Sequence, residues 1–467
     1  MKHVHFIGIG GAGLSAIALI LLQKGFSVSG SDRESTPLFE SVTAAGAKTF
    51  LGHASAHVES AELVIRSSAI PDDNPEVIAA RAKGIPVIKR QDFLGELTAD
   101  KDTLAVAGTH GKTTTTAMLI WVLHQMGLDP SFISGGVVNQ LGSNAHTGTG
   151  GYFVIEADEY DNMFLGLSPK IAIITNIEHE HADFFPTETE YQNAFKAFTQ
   201  CVRSDGKLIL CSDDPGIKLL LSELPDLADK SFTYGTGDEA HYKAQAITTI
   251  DGFPRFDLRF QNQAGKDINL GAFNLQVPGR HNVLNATAAL ALLHQLGLSI
   301  ESARQAIHAF TGAGRRFEVA GQVNKITIIN DYGHHPSEIT ATLEAARSRY
   351  PGHRIWAVWQ PHTYSRTKAM ASRFVTALDL ADKIVILKIY AARETDPGQT
   401  AEEFSDKFTE NKALYAPTFE FAVENLTNNL LPDDVVIIFS AGDAVQLSEV
   451  LLNTLQNQEG KRQEVDS

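Results

Sequence analysis

The chain is poor in three things, and each shortage narrows what it can be. Cysteine is nearly absent: Cys201 and Cys211 are the two in 467 residues, and they form no C-x-x-C pair. That argues against a disulfide framework or a thiolate zinc site and suits a reducing compartment. Apolar runs long enough to span a bilayer are missing, so no stable membrane association is expected. The apolar stretch near residue 20 has a faint look of a leader core, but glycines interrupt it and no convincing cleavage site follows. Positive charge is short as well, since 39 Lys and Arg face 55 Asp and Glu for a formal net charge of −16. A general nucleic-acid surface is not expected from such a balance, whereas a local basic pocket for phosphates is compatible with it.

What is present is an ordinary globular composition, 43% hydrophobic and 20% charged, at a length that favours about three domains. A cytoplasmic α/β protein is the expectation, and nothing sets its oligomeric state beyond a monomer or weak homodimer.

Strand and helix patterns divide the chain into residues 1–100, 101–313 and 314–467. In the first, VHFIGI reads as a buried strand, GGAG as a turn, LSAIALILLQKG as a helix and FSVSGSD as a second strand. Further strand candidates lie in SAELVIRSSAIP and GIPVIKR. In the second, TLAVA, GYFVIEADE, KIAIITNIE and GKLILCSDD supply strands. Residues 241–277 hold short alternating stretches with an antiparallel character, and HNVLNATAALALLHQLG and ESARQAIHAF are helical. In the third, ITIINDYGHHPSEITATLEAARSRY and RIWAVWQPHTYSRTKAM each read as strand, loop and helix. DKIVILKIYAA and DVVIIFSAGDAVQ complete that pattern, and the polar tail NQEGKRQEVDS is expected to fray. Strands alternating with helices predict parallel sheets.

Between the strand TLAVA and the next helix stand Gly108, Thr109, His110, Gly111, Lys112, Thr113 and Thr114. Glycines allow a tight turn that points backbone N–H groups at one anion, and the helix adds its positive end. Lys112 can reach outer phosphate oxygens and the Thr113 hydroxyl can ligate Mg²⁺. Val106 stands where the usual first glycine of G-x-x-x-x-G-K-[ST] would be, so a shorter loop does the wrapping. Leu119, Ile120 and Leu123 share one face of the helix behind it. A nucleoside triphosphate is the preferred ligand. Glu156, closing YFVIE, and His181, in EHEHAD, follow later strands, where ligands of parallel sheets collect. The glutamate suits Mg²⁺ and the histidine a second metal. A zinc hydrolase reading through His179 and His181 lacks a third ligand at any identifying spacing.

An earlier loop, Gly8-Ile-Gly10-Gly11-Ala12-Gly13, matches G-x-G-x-x-G after a strand and before a helix, with Asp32 closing the next strand. Taken alone it predicts an NAD-dependent oxidoreductase. Glycines and a helix terminus recognise a diphosphate, however, without choosing what is attached to it. A division of labour follows: the first loop holds a nucleotide-linked substrate and the second holds ATP. Ser67 and Ser68 can add hydroxyl contacts near that first crevice or cap an exposed turn.

The third segment carries Arg316 in GRRFE, Asp331, Tyr332, His334 and His335 in NDYGHHP, and His362 and Arg366 in PHTYSR. Arginine can clamp a carboxylate or stabilise a transferring phosphoryl group, and Asp331 can accept hydrogen bonds from a ribose. Asn285, in HNVLNATAA, can recognise adenine or cap its helix. The TDPG stretch and the neighbouring Arg393–Glu394 pair have no assigned role.

Together these segments resemble the ATP-dependent Mur ligases of bacterial peptidoglycan synthesis, over nearly the whole chain. AGTHGKTTTT is similar to the family's ATP loop, EADE to its metal segment, TNIEHEHADFF to its metal-histidine segment and GRHNVLNATAA to its adenine region. RRFE, DYGHHPSE and QPHTYSR are similar to the carboxyl-terminal motifs, and DYGHHP, QPHTYSR and GIGGAG favour the L-alanine-adding branch. The resemblance implies an amino-terminal Rossmann-like UDP-binding domain, a central P-loop ATPase-like domain and a mobile carboxyl-terminal Rossmann-like domain. It also implies UDP-N-acetylmuramate and L-alanine as substrates. By the same resemblance Lys112 and Thr113 bind phosphate and Mg²⁺, and Glu156 and His181 bind metal. His281 and Asn285 approach adenine, Asp331 approaches the ribose, and Arg316 holds phosphate charge. Tyr332, His334, His362 and Arg366 line the L-alanine side, and Gly8 to Gly13 hold UDP. Glu180 precedes His181 where the family more often has Asp.

Overall fold

The computed structural model describes residues 2–262, 264–392, 394–398, 400–409 and 412–465, with side chains described as far as residue 458. Three sheets organise it. Residues His3–Ile7 (β1), Ser27–Asp32 (β2), Lys48–Leu51 (β3), Leu63–Arg66 (β4) and Val87–Lys89 (β5) form a parallel sheet in the order β3-β2-β1-β4-β5. The order reverses between β1 and β4. Chain leaving the ends of those two strands departs in opposite directions and leaves a crevice, the usual ligand position in such sheets.

The second sheet has ten strands in the order β15-β14-β13-β12-β11-β10-β6-β9-β7-β8. They are Asp102–Ala107 (β6), Ser131–Val138 (β7), Ser143–His146 (β8), Tyr152–Glu156 (β9), Ile171–Ile174 (β10), Lys207–Cys211 (β11), Ser231–Gly235 (β12), Tyr242–Ile250 (β13), Phe253–Gln261 (β14) and Asp267–Asn274 (β15). Parallel pairing sets Val106 beside Glu156 and Ala107 beside Ile174. The loop after β6 is therefore flanked by the ends of β9 and β10. The segment 241–277 proves to be three long strands, of nine, nine and eight residues.

A third sheet has the order β16-β17-β21-β18-β19-β20, made of Glu318–Val323 (β16), Ile326–Asp331 (β17), Ile355–Trp359 (β18), Lys383–Leu387 (β19), Ala413–Ala416 (β20) and Val435–Phe439 (β21). Its central strands IWAVW and VVIIF are buried at every residue. Strands covered on both faces read as continuous apolar runs rather than as an alternation.

Two compact units result. One comprises residues 1–245, 258–271 and 284–307; the other comprises 246–257, 272–283 and 308–467. Sequence reading departs from the structure at a few elements. The four-residue edge strands β3 and β8 went unread, and so did the eight-residue β7, whose SFISGGVV is interrupted by two glycines. Helix Lys112–Gln125 is buried around nearly its whole circumference, Thr115 and Thr116 included, rather than along one apolar stripe. The polar tail expected to fray is helical as far as Val465.

Candidate active site

The turn after β6 owes its shape to two glycines. Gly108 takes φ +127° and Gly111 takes φ +82° as the residue capping helix Lys112–Gln125. Side chains are also sterically excluded there. A Cβ on Gly108 would lie 2.0 Å from Thr175 Oγ1, and one on Gly111 would lie 2.6 Å from Asn285 Oδ1. The end of β10 braces the loop. Thr109 N–H donates to the Asn176 carbonyl (3.0 Å), His110 N–H donates to Asn176 Oδ1 (2.9 Å), and Thr175 Oγ1 donates to the His110 carbonyl (2.6 Å). Thr114 is buried in the first helical turn.

Lys112 folds over this turn. Its Nζ donates to the carbonyls of Gly108 (2.5 Å) and Thr109 (3.0 Å) and lies 2.9 Å from Glu159 Oε2. Glu159 is 1% exposed and also meets Tyr191 Oη at 3.2 Å and His181 Nε2 at 3.6 Å. Burial works against the Lys112 ammonium, yet Glu159, then Asp158, outweighs it and holds the pKa above its ordinary value. Burial likewise opposes the Glu159 carboxylate, and Lys112 with His181 outweighs that, holding the carboxyl well below its usual range. His181 follows the same logic: burial pushes it down, while Glu159 and Glu180 raise it. The His181 backbone has φ +57°, and the Tyr160 ring meets its imidazole edge-on at 5.0 Å.

On the other side of the loop, Thr113 Oγ1 donates to Glu156 Oε1 (3.0 Å), while Gly135 N–H, from the unread strand β7, donates to Glu156 Oε2 (2.6 Å). Hydroxyl and carboxylate oxygens together are the donor chemistry of Mg²⁺. His179, the other half of the zinc reading, directs Nε2 to the Phe185 carbonyl at 2.8 Å.

At the first loop, Gly8 has φ +91°, and the N–H groups of Gly8 and Ile9 both donate to the Ser31 carbonyl. Asp32 Oδ2 accepts from Gly10 N–H at 2.8 Å, so this carboxylate holds the turn itself. Gly11 caps helix Ala12–Gln23, and Ala12 and Gly13 open it. Ser67 packs at the mouth, 3.1 Å from where a Gly8 Cβ would stand, whereas Ser68 is exposed in the following turn.

The carboxyl-terminal motifs form one continuous set of contacts. The guanidinium groups of Arg315 and Arg316 lie 4.9 and 5.0 Å from the Tyr332 ring centre, and Arg316 pairs with Glu338 at 3.2 Å. Tyr332 meets His334 at 5.3 Å between ring centres, and His334 meets His362 at 5.6 Å. Arg366 Nη1 is 3.0 Å from His362 Nδ1. Asp331 is buried at the end of β17, accepting from Phe317 N–H (2.9 Å) and Gly333 N–H (2.7 Å), and burial lifts its pKa to about 6. Burial, followed by the charge of Arg316, pushes His281 down to about 4, so its ring is neutral near pH 7. Glu394 accepts from the N–H groups of Tyr364 (2.5 Å) and Ser365 (3.1 Å), fixing the turn between His362 and Arg366. Its neighbour Arg393 lies outside the described residues.

Sequence reasoning missed Glu159, Arg315 and Glu338. The first sits inside EADE, where only Glu156 was chosen; the second sits inside the quoted RRFE and the third inside DYGHHPSE.

Known proteins are similar to this chain over nearly its whole length. The Mur ligase family catalytic domain matches residues 3–102, the Mur ligase middle domain matches 106–293, and the Mur ligase glutamate ligase domain matches 315–442. A UDP-N-acetylmuramate–L-alanine ligase of Syntrophus aciditrophicus is 40% identical across 99% of this chain and 95% of its own length. The chain belongs to the Mur ligase family. A second member carrying the same name, from Frankia casuarinae, is 43% identical over 92% of this chain and 91% of its own. Among solved structures, the UDP-N-acetylmuramate-alanine ligase MurC of Thermotoga maritima superposes with a TM-score of 0.82 at 29% identity, covering 98% of this chain and all of that one. Three domains with parallel-rich sheets are the family's architecture here, and the oxidoreductase reading of the first loop finds no support. Among the described residues no helix is long and apolar enough to cross a membrane.

Proposed function

We propose that this chain forms the amide bond between the carboxylate of UDP-N-acetylmuramate and the amine of L-alanine at the expense of ATP. The product is a peptidoglycan precursor, which places the chain in cell-wall biogenesis and hence in cell shape and division. One observation carries the reading: two glycine turns open two helices in one compact unit, and the second binds its lysine to a buried glutamate. The names of relatives aligned over nearly their full lengths support the two substrates.

A carboxylate has no leaving group for direct amide formation. Its oxygen attacks the γ-phosphorus of ATP, the bond to the β–γ bridging oxygen breaks, and ADP departs with that electron pair. The L-alanine amine then attacks the acyl phosphate carbonyl; the tetrahedral adduct expels phosphate and keeps the new C–N bond. Repulsion between the carboxylate and the γ-phosphate is the main obstacle, and oriented positive charge lowers it by several kcal/mol, as a rough order. Lys112 supplies that charge, and the loop Gly108 to Thr114 surrounds the phosphates with the N–H groups of Lys112, Thr113 and Thr114 at the helix start turned to them. Thr113 and Glu156 would hold Mg²⁺ and His181 a second metal ion, and metal when bound neutralises phosphoryl charge. His281 and Asn285 face adenine and Asp331 the ribose, while Arg316 balances phosphate charge. Gly10, Gly11, Ala12, Gly13, Asp32, Ser67 and Ser68 hold the UDP sugar. Tyr332, His334, His362 and Arg366 receive L-alanine, with His334 and His362 as candidate acceptors of the ammonium proton. The work is divided among residues 1–100, 101–313 and 314–467, a partition the three matched intervals support. A cytoplasmic location follows from the nucleotide substrates, and a monomer or weak homodimer is sufficient for the chemistry.

The test is mass spectrometry of the purified protein incubated with ATP, MgCl₂, UDP-N-acetylmuramate and L-alanine. The alanine adduct is expected with one phosphate released per adduct, and neither without L-alanine. Lys112→Ala is expected to abolish turnover while retaining UDP-sugar binding. Failure of the wild-type protein to form the adduct refutes the reading, and NADH-dependent activity without ATP would restore the oxidoreductase.

A further inference from the structure

Arg90 appears in no motif, yet its guanidinium lies on the first glycine loop. A Cβ added to Gly13 would stand 1.3 Å from Arg90 Nη1 and 2.5 Å from its Cζ. No residue but glycine leaves room for this approach. Gly13 is the second residue of helix Ala12–Gln23, whose first turn contains no acidic side chain. A cation set against the positive end of a helix is electrostatically unfavourable unless an anion joins them.

The partners of Arg90 on the protein side are weak or remote from that helix. Nη2 pairs with Asp158 Oδ2 at 3.1 Å, and that carboxylate is 43% exposed. Nε faces Met163 Sδ at 2.8 Å, and a thioether is a poor acceptor for a guanidinium. Asp158 stands between Glu156, bonded to Thr113, and Glu159, bonded to Lys112. One guanidinium thus touches the start of the first phosphate-binding helix and the acidic segment beside the second. The mount is reinforced by Lys89, which lies 3.5 Å from Asp161 in the same acidic stretch.

We infer that Arg90 binds the diphosphate of the nucleotide-linked sugar over Gly13 and, through Asp158, couples filling of the first loop to the ATP loop. A diphosphate offers the planar guanidinium a better bidentate partner than one exposed carboxylate and a thioether. Its arrival draws the guanidinium away from Asp158, and the acidic segment that holds Thr113 and Lys112 feels the change. This deepens the ligase reading, on which the identity of the sugar nucleotide rests.

The experiment is calorimetric titration of the full chain with UDP-N-acetylmuramate, and with a non-hydrolysable ATP analogue and MgCl₂ in the presence and absence of that sugar. For Arg90→Gln, sugar-nucleotide affinity falls roughly ten- to hundredfold, the range of a lost charge-assisted hydrogen-bond pair. Affinity for the ATP analogue alone stays within about twofold of wild type, and the sugar no longer alters it. Arg90→Lys keeps the charge without the fork and falls between. Asp158→Asn retains sugar binding but loses the coupling. Unchanged sugar affinity in Arg90→Gln, or coupling that survives in it, overturns the inference. So does a parallel loss of ATP-analogue affinity, the mark of a merely structural residue. Should Arg90→Gln not fold, the Arg90→Lys and Asp158→Asn titrations decide between the same outcomes. A wild-type protein that makes the alanine adduct while Arg90→Gln binds the sugar normally disproves this inference alone. A wild-type protein that binds both nucleotides with coupling but makes no adduct disproves the ligase reading instead.

Discussion

The ammonium of Lys112 and the carboxylate of Glu159 stand 2.9 Å apart, the lysine at the start of a helix and the glutamate buried just past the end of β9. Glu159 is the counter-charge that allows a lysine to remain protonated in this enclosed place. Removing one partner of a buried pair strands the other, at a cost of about 3–5 kcal/mol. Glu159→Gln should therefore lower the urea unfolding free energy by roughly 3 kcal/mol and reduce turnover more than tenfold, because Lys112 loses its orientation. Equal stability in urea titrations of the two proteins would show that the pair is ornamental.

Gly108 offers a sharper test of the loop itself. Its backbone lies at φ +127°, and a Cβ there would collide with Thr175 Oγ1 at 2.0 Å. Strain in that region costs about 1–3 kcal/mol before the collision is counted. Gly108→Ala should abolish detectable binding of an ATP analogue while leaving UDP binding at the Gly8–Gly13 loop, titrated without ATP, within about twofold of wild type, since coupling between the loops acts only when both are filled. Loss of both affinities together would mean global damage rather than a spoiled phosphate loop.

The second and third sheets were legible because their central strands are covered on both sides and so spell unbroken apolar words: LAVA, IAII, IWAVW, VVIIF. Strands such as KTFL and SNAH were not, being four residues long, partly exposed and placed at sheet edges. The phosphate loops were legible for a related reason: glycine at a positive-φ turn before a helix is a local requirement written at consecutive positions. Glu159 was harder. EADE places three acids within four residues, and which of them meets the lysine depends on how the chain bends after β9. Arg90 was beyond reach, since its partners Gly13 and Asp158 are brought together by tertiary structure alone. The grouping of Tyr332, His334, His362 and Arg366 came from the family resemblance alone, and it depends physically on β17 and β18 flanking β21.

A second buried carboxylate governs acid stability. Glu76 is fully buried under the first sheet, accepting from Ser31 Oγ at 2.5 Å, with His57 Nδ1 at 2.6 Å, His53 Nδ1 at 3.4 Å and His5 Nε2 at 3.6 Å. Burial opposes its charge, but His5, Ser31 and His57 outweigh it and hold the pKa at about 2. A depressed acid contributes stability that is whole above its unfolded value of 4.5 and is lost as pH falls toward 2. Glu76→Gln should thus be less stable than wild type at pH 6, by roughly 3 kcal/mol, and the gap should narrow on acidification below about pH 4.5. Thermal unfolding across that range would read it directly, and a gap independent of pH would mean that the carboxylate is not the charged centre of the cluster.

Asp331 tilts the other way. Burial is the dominant influence on it; Arg316 and the N–H groups of Phe317 and Gly333 recover only part of the loss, and the pKa rises from 3.8 to about 6. A raised acid favours the folded state while protonated, so its contribution is complete below the unfolded value and is surrendered as pH climbs through about 6. Stability of the carboxyl-terminal unit should decline between pH 4 and pH 6 from this group alone. Asp331→Asn cannot ionise, so its stability curve should lack that decline, although its single carbonyl oxygen can replace only one of the two oxygens that accept from Phe317 N–H and Gly333 N–H, which lowers the whole curve. If Asp331 also receives the ATP ribose, the same variant should raise the KM for ATP several-fold while the KM for L-alanine stays put, because a neutral amide accepts a hydroxyl hydrogen bond less strongly than a carboxylate. Urea titrations at pH 4, 6 and 7 with a two-substrate kinetic analysis separate the two effects: parallel stability curves would refute the titration, and unchanged KM for ATP would remove Asp331 from the nucleotide site.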